Sequence, residues 1–141
     1  MNLQHAMDIA PDSIIALDRA GNVAYWNQGS TEIFGFTSEE MLGNNLDAII
    51  PEKLRQRHNE AYAVYVETGK SRYGPGHMLA VPAMNKAGER ISVEFRLSIL
   101  TDEEGKVEYV VSILRDVTER WNKEQETRRR LMELEKQLKE K

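Results

Sequence analysis

The sequence predicts an α+β domain: one five-stranded antiparallel sheet with short helices over one face, an N-terminal arm and a C-terminal helix. Three observations predict it. Two short β-rich runs, Ser13–Asp18 and Val23–Asn27, are separated by a Gly-Asn turn signal. Ile91, Val93, Phe95, Leu97 and Ile99 alternate with polar residues, the period of a half-buried strand. Between these regions Pro51–Gly69 reads as one helix, and tight turns on either side allow only hairpin pairing of the strands.

In chain order, residues 1–12 form a short amphipathic arm, with Leu3, Met7 and Ile9 expected to pack on the main body and Pro11-Asp12 ending it. The first hairpin follows, turning at Arg19-Ala20-Gly21-Asn22. Gly29–Phe36 and Ser38–Gly43 are short helices. Thr37-Ser38-Glu39-Glu40 is an N-cap pattern with acids in the first turn, and Gly43 is a left-handed stop. Asn44–Ile50 adds another helical turn.

Pro51 suits the first position of the next helix, and Thr68-Gly69 ends it. On that helix Leu54, His58, Ala61, Tyr62 and Tyr65 fall on one face, while Arg55, Arg57, Asn59, Glu60 and Glu67 fall mostly outside it. A single histidine therefore stands in a stripe that should point inward. Leu79–Met84 contains Pro82 and suits an edge strand. The strand from Ile91 to Leu100 turns at Asp102-Glu103-Glu104-Gly105 into Val107–Leu114, and Asp116–Lys141 is polar and helical. Leu131, Leu134 and Leu138 step by three and four, a short coiled-coil seam.

Composition narrows the function. The chain has 141 residues, 40% hydrophobic and 30% charged, which suits one domain with a real core. A formal net charge of −4 offers no basic surplus for nucleic acid. No apolar run approaches the ~18 residues of a membrane span. The absence of cysteine excludes disulfides, thiolate metal sites and a cysteine nucleophile, and fits a cytoplasmic location. There is no H-E-x-x-H and no phosphate-binding G-x-x-x-x-G-K-[ST] loop, and the chain is not expected to be an enzyme.

Pro11-Asp12-Ser13-Ile14, Asp18-Arg19-Ala20-Gly21-Asn22-Val23, Trp26-Asn27, Phe34-Gly35-Phe36-Thr37-Ser38-Glu39-Glu40 and Leu42-Gly43 resemble the front half of a PAS domain. Lys86-Ala87-Gly88, the strand from Ile91 to Leu100 and the closing Arg115-Asp116-Val117-Thr118-Glu119-Arg120 resemble its back half. The resemblance implies an N-terminal cap at 1–12, a sensor domain at 13–115, and a signalling helix at 116–141 leading to an output partner. It also implies a homodimer.

Within it, P-x-x-L-R-x-x-H at residues 51–58 is similar to the helix of oxygen-sensing haem PAS domains whose histidine is the iron ligand. That similarity implies haem b on His58, in a pocket lined by Leu54, Tyr62, Tyr65 and Leu97, sensing a diatomic gas or redox state. It implies Arg72 as a propionate partner and offers His77 or Met78 as a distal residue; Val64 stands where those sensors carry an arginine. A cysteine-based flavin photochemistry is absent, because none follows Gly43-Asn44-Asn45. The residues leave a second reading open: a module without cofactor that dimerises or holds a small metabolite, with His58 hydrogen-bonded to a backbone carbonyl.

Overall fold

The computed structural model describes residues 2–70 and 79–140. Arg72, His77 and Met78 lie outside the described residues. Five antiparallel strands form one sheet: β1 (Ser13–Asp18), β2 (Val23–Trp26), β3 (Leu79–Met84), β4 (Arg90–Thr101) and β5 (Val107–Asp116), in spatial order β2-β1-β5-β4-β3. β5 is therefore the centre of the sheet, and β3, with Pro82 opposite Ser92, is an edge as its proline requires.

Between β2 and β3 run the short helices α2 (Gln28–Phe34) and α3 (Ser38–Met41), two 3-10 turns at Leu46–Ile49 and Glu52–Leu54, and the longer α4 (Arg55–Thr68). They sit on the face of the sheet that carries Ile15, Leu17, Val93 and Leu114, and bury it in a core completed by Phe34, Met41 and Ile49. A second, smaller cluster joins Tyr65 and Val66 of α4 to Val107 and Val110 of β5.

Local signals explain most boundaries. Thr37 and Glu40 form a reciprocal capping box at the start of α3. Gly69 ends α4 at φ +69°, a conformation in which a side chain would be strained. Pro51 departs from expectation: it precedes the 3-10 turn with an extended ψ of 138°, and α4 begins only at Arg55. Arg55 explains the break. Its Nε donates to the carbonyls of Asp47 and Ile50, both at 3.0 Å, so it caps the preceding turn instead of facing water.

The N-terminal α1 (Leu3–Ile9) also differs from expectation. Leu3 is 72% exposed and Ile9 56%, and neither packs on the body. The arm is held by polar bonds. Asn27 Nδ2 donates to the carbonyls of Met7 (2.8 Å) and Asp12 (3.0 Å), and the Tyr25 hydroxyl donates to Asp8.

At the other end, Val117 N–H donates to the Ser92 carbonyl (2.9 Å) and Ser92 N–H to Thr118 Oγ1 (3.0 Å), fastening the first residues of α5 (Thr118–Lys139) to β4. Glu94 and Arg120 add an ion pair across the same junction. Beyond it α5 buries no residue; Leu131, Leu134 and Leu138 are all exposed.

Candidate functional site

α4 is held at its start, its middle and its second half. Arg55 ties its start to the preceding turn. Tyr65 and Val66 seat its second half on Val107 and Val110. The Tyr62 hydroxyl donates to the Asp18 carbonyl at 2.5 Å, pinning the middle to the β1 end. What is left between α4 and the sheet is a cavity of about 400 Å³. That volume lies in the range of small-ligand and cofactor sites.

The stripe read from the sequence is the roof of this cavity: Leu54, His58, Ala61, Tyr62 and Tyr65 all line it. Its floor is the inward row of the sheet, with Leu97 and Phe95 from β4 and Val110, Ser112 and Leu114 from β5. Burial along β4 falls from Ile91 and Val93 to a half-buried Phe95 and Leu97, so the hollow opens toward the far end of that strand. Leu46, Ile49 and Ile50 close one side.

Four of the five expected cofactor contacts other than His58, namely Leu54, Tyr62, Tyr65 and Leu97, thus line one cavity together with His58. The fifth, Arg72, lies outside the described residues. His58 is half-buried on the cavity wall. Its Nδ1 lies 3.4 Å from Asn59 Oδ1, a side chain and not the backbone carbonyl that the second reading expected, and Asn59 Nδ2 donates in turn to Asp47 Oδ1 at 3.2 Å. Trp26 takes no part. It is buried in the core, where its indole N–H donates to the Phe36 carbonyl at 2.9 Å.

The polar groups around the cavity are few. Burial, and secondarily the charge of Asp18, pushes the Tyr62 phenol up to about 12, and burial also raises Tyr65. One polar residue was missed by the sequence reading. Ser112 puts a hydroxyl in the otherwise apolar row Val110–Leu114, between Ile15 and Leu97 on the neighbouring strands. Its alternation with Val110 and Leu114 was the signal for its inward face. Arg57 is exposed, as expected, and also stands at the lip of the cavity beside His58.

The donor set fits a haem better than a bare metal ion. No group of three metal-ligating side chains occurs among the described residues. One imidazole on an apolar wall is what an iron needs when its other ligands arrive with a macrocycle, and the surrounding Leu, Val and Phe side chains would keep water from it.

The family model for the PAS fold matches residues 7–122. The chain belongs to the PAS family. As a PAS sensory domain it is similar to the oxygen sensor protein DosP of Escherichia coli, 31% identical over 114 residues, which are 81% of this chain and 14% of that protein. It is similar to the sensor protein FixL of Bradyrhizobium diazoefficiens at 27% identity over 139 residues, 97% of this chain and 26% of that one. The PAS domain thus spans about a quarter or less of the length of either relative. Among solved structures, the PAS domain of a Colwellia psychrerythraea protein aligns with a TM-score of 0.71 at 20% identity, over 83% of this chain and 95% of that one. This last likeness shows the fold alone. Among the described residues no helix is long and apolar enough to cross a membrane.

Proposed function

We propose that this PAS sensory domain holds haem b in the cavity under α4, with iron on His58, and senses a diatomic gas or the iron's oxidation state. The observation that carries the reading is the imidazole of His58 on the wall of a largely apolar cavity of about 400 Å³. The Pro51–His58 segment, which resembles that of haem oxygen sensors, supports it, and so does the oxygen sensor protein among the relatives. Asn59 Oδ1 beside Nδ1 favours the tautomer that leaves Nε2 without a proton, the form a metal takes. When bound, haem supplies an iron open to a gas ligand or an electron. Leu54, Tyr62, Tyr65 and Leu97 enclose the guest and exclude water.

The response leaves through β5. Its inward residues Val110, Ser112 and Leu114 touch the cavity, and its end leads through Val117 into α5. A guest shifts this element only as far as it binds one arrangement better than the other. The exposed Leu131, Leu134 and Leu138 of α5 give a second copy a seam to pack on, making the output unit a homodimer. Sedimentation of a chain cut after Arg120 tests this: the mass should halve, and an unchanged mass removes the seam from the interface.

The second reading is a small-metabolite module in which His58 is structural. The contact between His58 and Asn59 favours it, since it holds the ring without a metal. Titrating the purified protein with hemin separates the two. The first reading expects a shifted Soret band that is lost or altered in His58→Ala, with unchanged far-UV circular dichroism. No shift in the wild type, or an identical spectrum in the variant, overturns it.

A further inference from the structure

The cavity under α4 carries an arginine at its lip. Nearly all of the lining is aliphatic or aromatic, and the polar exceptions are not spread evenly. Tyr62 spends its hydroxyl on Asp18. Ser112 lies on the floor. Arg57 is the one lysine or arginine among the described residues that line the cavity, and it stands at the opening, next to His58 in sequence.

Among the described residues Arg57 also has no anionic partner. The described ion pairs of the domain engage Arg19, Lys86, Lys106, Arg115, Arg120, Lys123 and Arg130. None of them engages Arg57. The carboxylate one turn along the helix, Glu60, accepts instead from Gln56 Nε2 at 3.1 Å. A guanidinium at the mouth of an apolar hollow, with its fork of donors uncommitted among the described residues, matches a carboxylate on an otherwise apolar guest.

We infer that the site takes an apolar molecule bearing a carboxylate, and that Arg57 binds that carboxylate at the cavity lip. This rests on the cavity under α4 being the ligand site, as proposed above, but not on the guest being haem. Two sources share the chemistry: the propionates of haem and the head group of a fatty acid. The acid is held at the entrance, and the apolar part lies against Phe95, Leu97 and Leu114.

The test uses the whole chain with two matched pairs of probes: hemin against its dimethyl ester, and dodecanoate against its methyl ester. Each is titrated into wild type, Arg57→Gln and Arg57→Lys. For whichever acid binds, Arg57→Gln should weaken it about tenfold, as expected for loss of a charge-assisted pair, and should leave the ester unchanged. Arg57→Lys should recover part of the loss. An acid bound equally well by wild type and Arg57→Gln, an ester weakened as much as its acid, or binding of neither acid overturns the inference. If dodecanoate behaves as expected while hemin gives no His58-dependent Soret shift, the haem reading fails and the carboxylate site stands. If hemin binds through His58 but ignores Arg57, the reverse holds. Arg57 is exposed, so unchanged circular dichroism separates a lost contact from a lost fold.

Discussion

Two polar places in this domain are built on opposite principles. Around Asn27, at the junction of β2, α2 and the N-terminal arm, a buried side chain is saturated. Its Oδ1 accepts from the backbone N–H of Ile14 and of Ser30, both at 2.9 Å, and from Ser30 Oγ at 2.8 Å, while its Nδ2 serves the arm. Next to it Gly29 lies so close to the arm that a Cβ there would come within 2.5 Å of the Ala10 carbonyl oxygen and overlap that of Asp12. Under α4 the arrangement is reversed. Ser112, His58 and Arg57 face a hollow with few partners of their own. A saturated cluster fixes structure, because breaking it strands several buried groups. An unsaturated, roomy one leaves its bonding capacity for something from outside.

The contrast can be broken at the closed end first. Asn27→Ala removes the acceptor for two backbone N–H groups and the donor that holds the arm, so it should cost about 3 kcal/mol or more. A urea midpoint is the measure, and a loss under ~1 kcal/mol would mean the cluster is ornamental.

Tyr62 is a smaller test, at the edge of the open region. Tyr62→Phe deletes one hydrogen bond to the Asp18 carbonyl and should cost about 1 kcal/mol at neutral pH. Its pH signature is sharper. The free phenol ionises near 10, whereas Tyr62 in the fold is pushed up to about 12. Between those values the unfolded chain gives up the proton while the folded one keeps it. The stabilisation is therefore whole below about pH 10 and is lost as pH rises toward 12. Tyr25, raised to about 12 by burial and then by Asp8, adds a second share. Denaturation followed from pH 8 to pH 12 should show the fall in wild type and a shallower one in Tyr62→Phe. Equal slopes would contradict the assignment.

The smallest effect has the opposite sign. Ser112→Val exchanges a hydroxyl in an apolar row for methyl groups that fill part of the hollow. It should leave stability unchanged or raise it by about 0.5 kcal/mol. If Ser112→Val destabilised the protein as Asn27→Ala does, the two places would be the same kind of structure after all.

How much of this was legible depended on whether the cause was local. The β1–β2 turn, the N-cap at Thr37, the Gly69 stop and the alternation of β4 are all set by residues a few positions apart, and they were read correctly from the chain. So was the shared face of His58, Ala61, Tyr62 and Tyr65, because helical spacing alone sets it; Leu54 joins them from the preceding 3-10 turn. What failed depended on distant partners. Leu3 and Ile9 look like core residues in isolation, yet no apolar surface of the body reaches them, and Asn27 holds the arm from 15 or more residues away. Arg55 and Arg57 look alike as solvated cations. One is drawn back onto the carbonyls of Asp47 and Ile50, and the other is carried over an opening that only the folded sheet creates. Ser112 was hidden in the apolar run VEYVVSIL, where a hydroxyl gains meaning only when the space above it is empty.

The bonds that join Val117 and Thr118 to Ser92 give the long helix a stiff root set in two adjacent strands. Its 22 residues extend about 33 Å at 1.5 Å per residue, so a rotation of about 5° at that root displaces the far end by roughly 3 Å. A sliding of β4 against β5 too small to disturb the core thus becomes, at Leu138, a movement as large as half the pitch of a helix. The helix is geared like a pointer on a dial, small turns at its root becoming large ones at its tip.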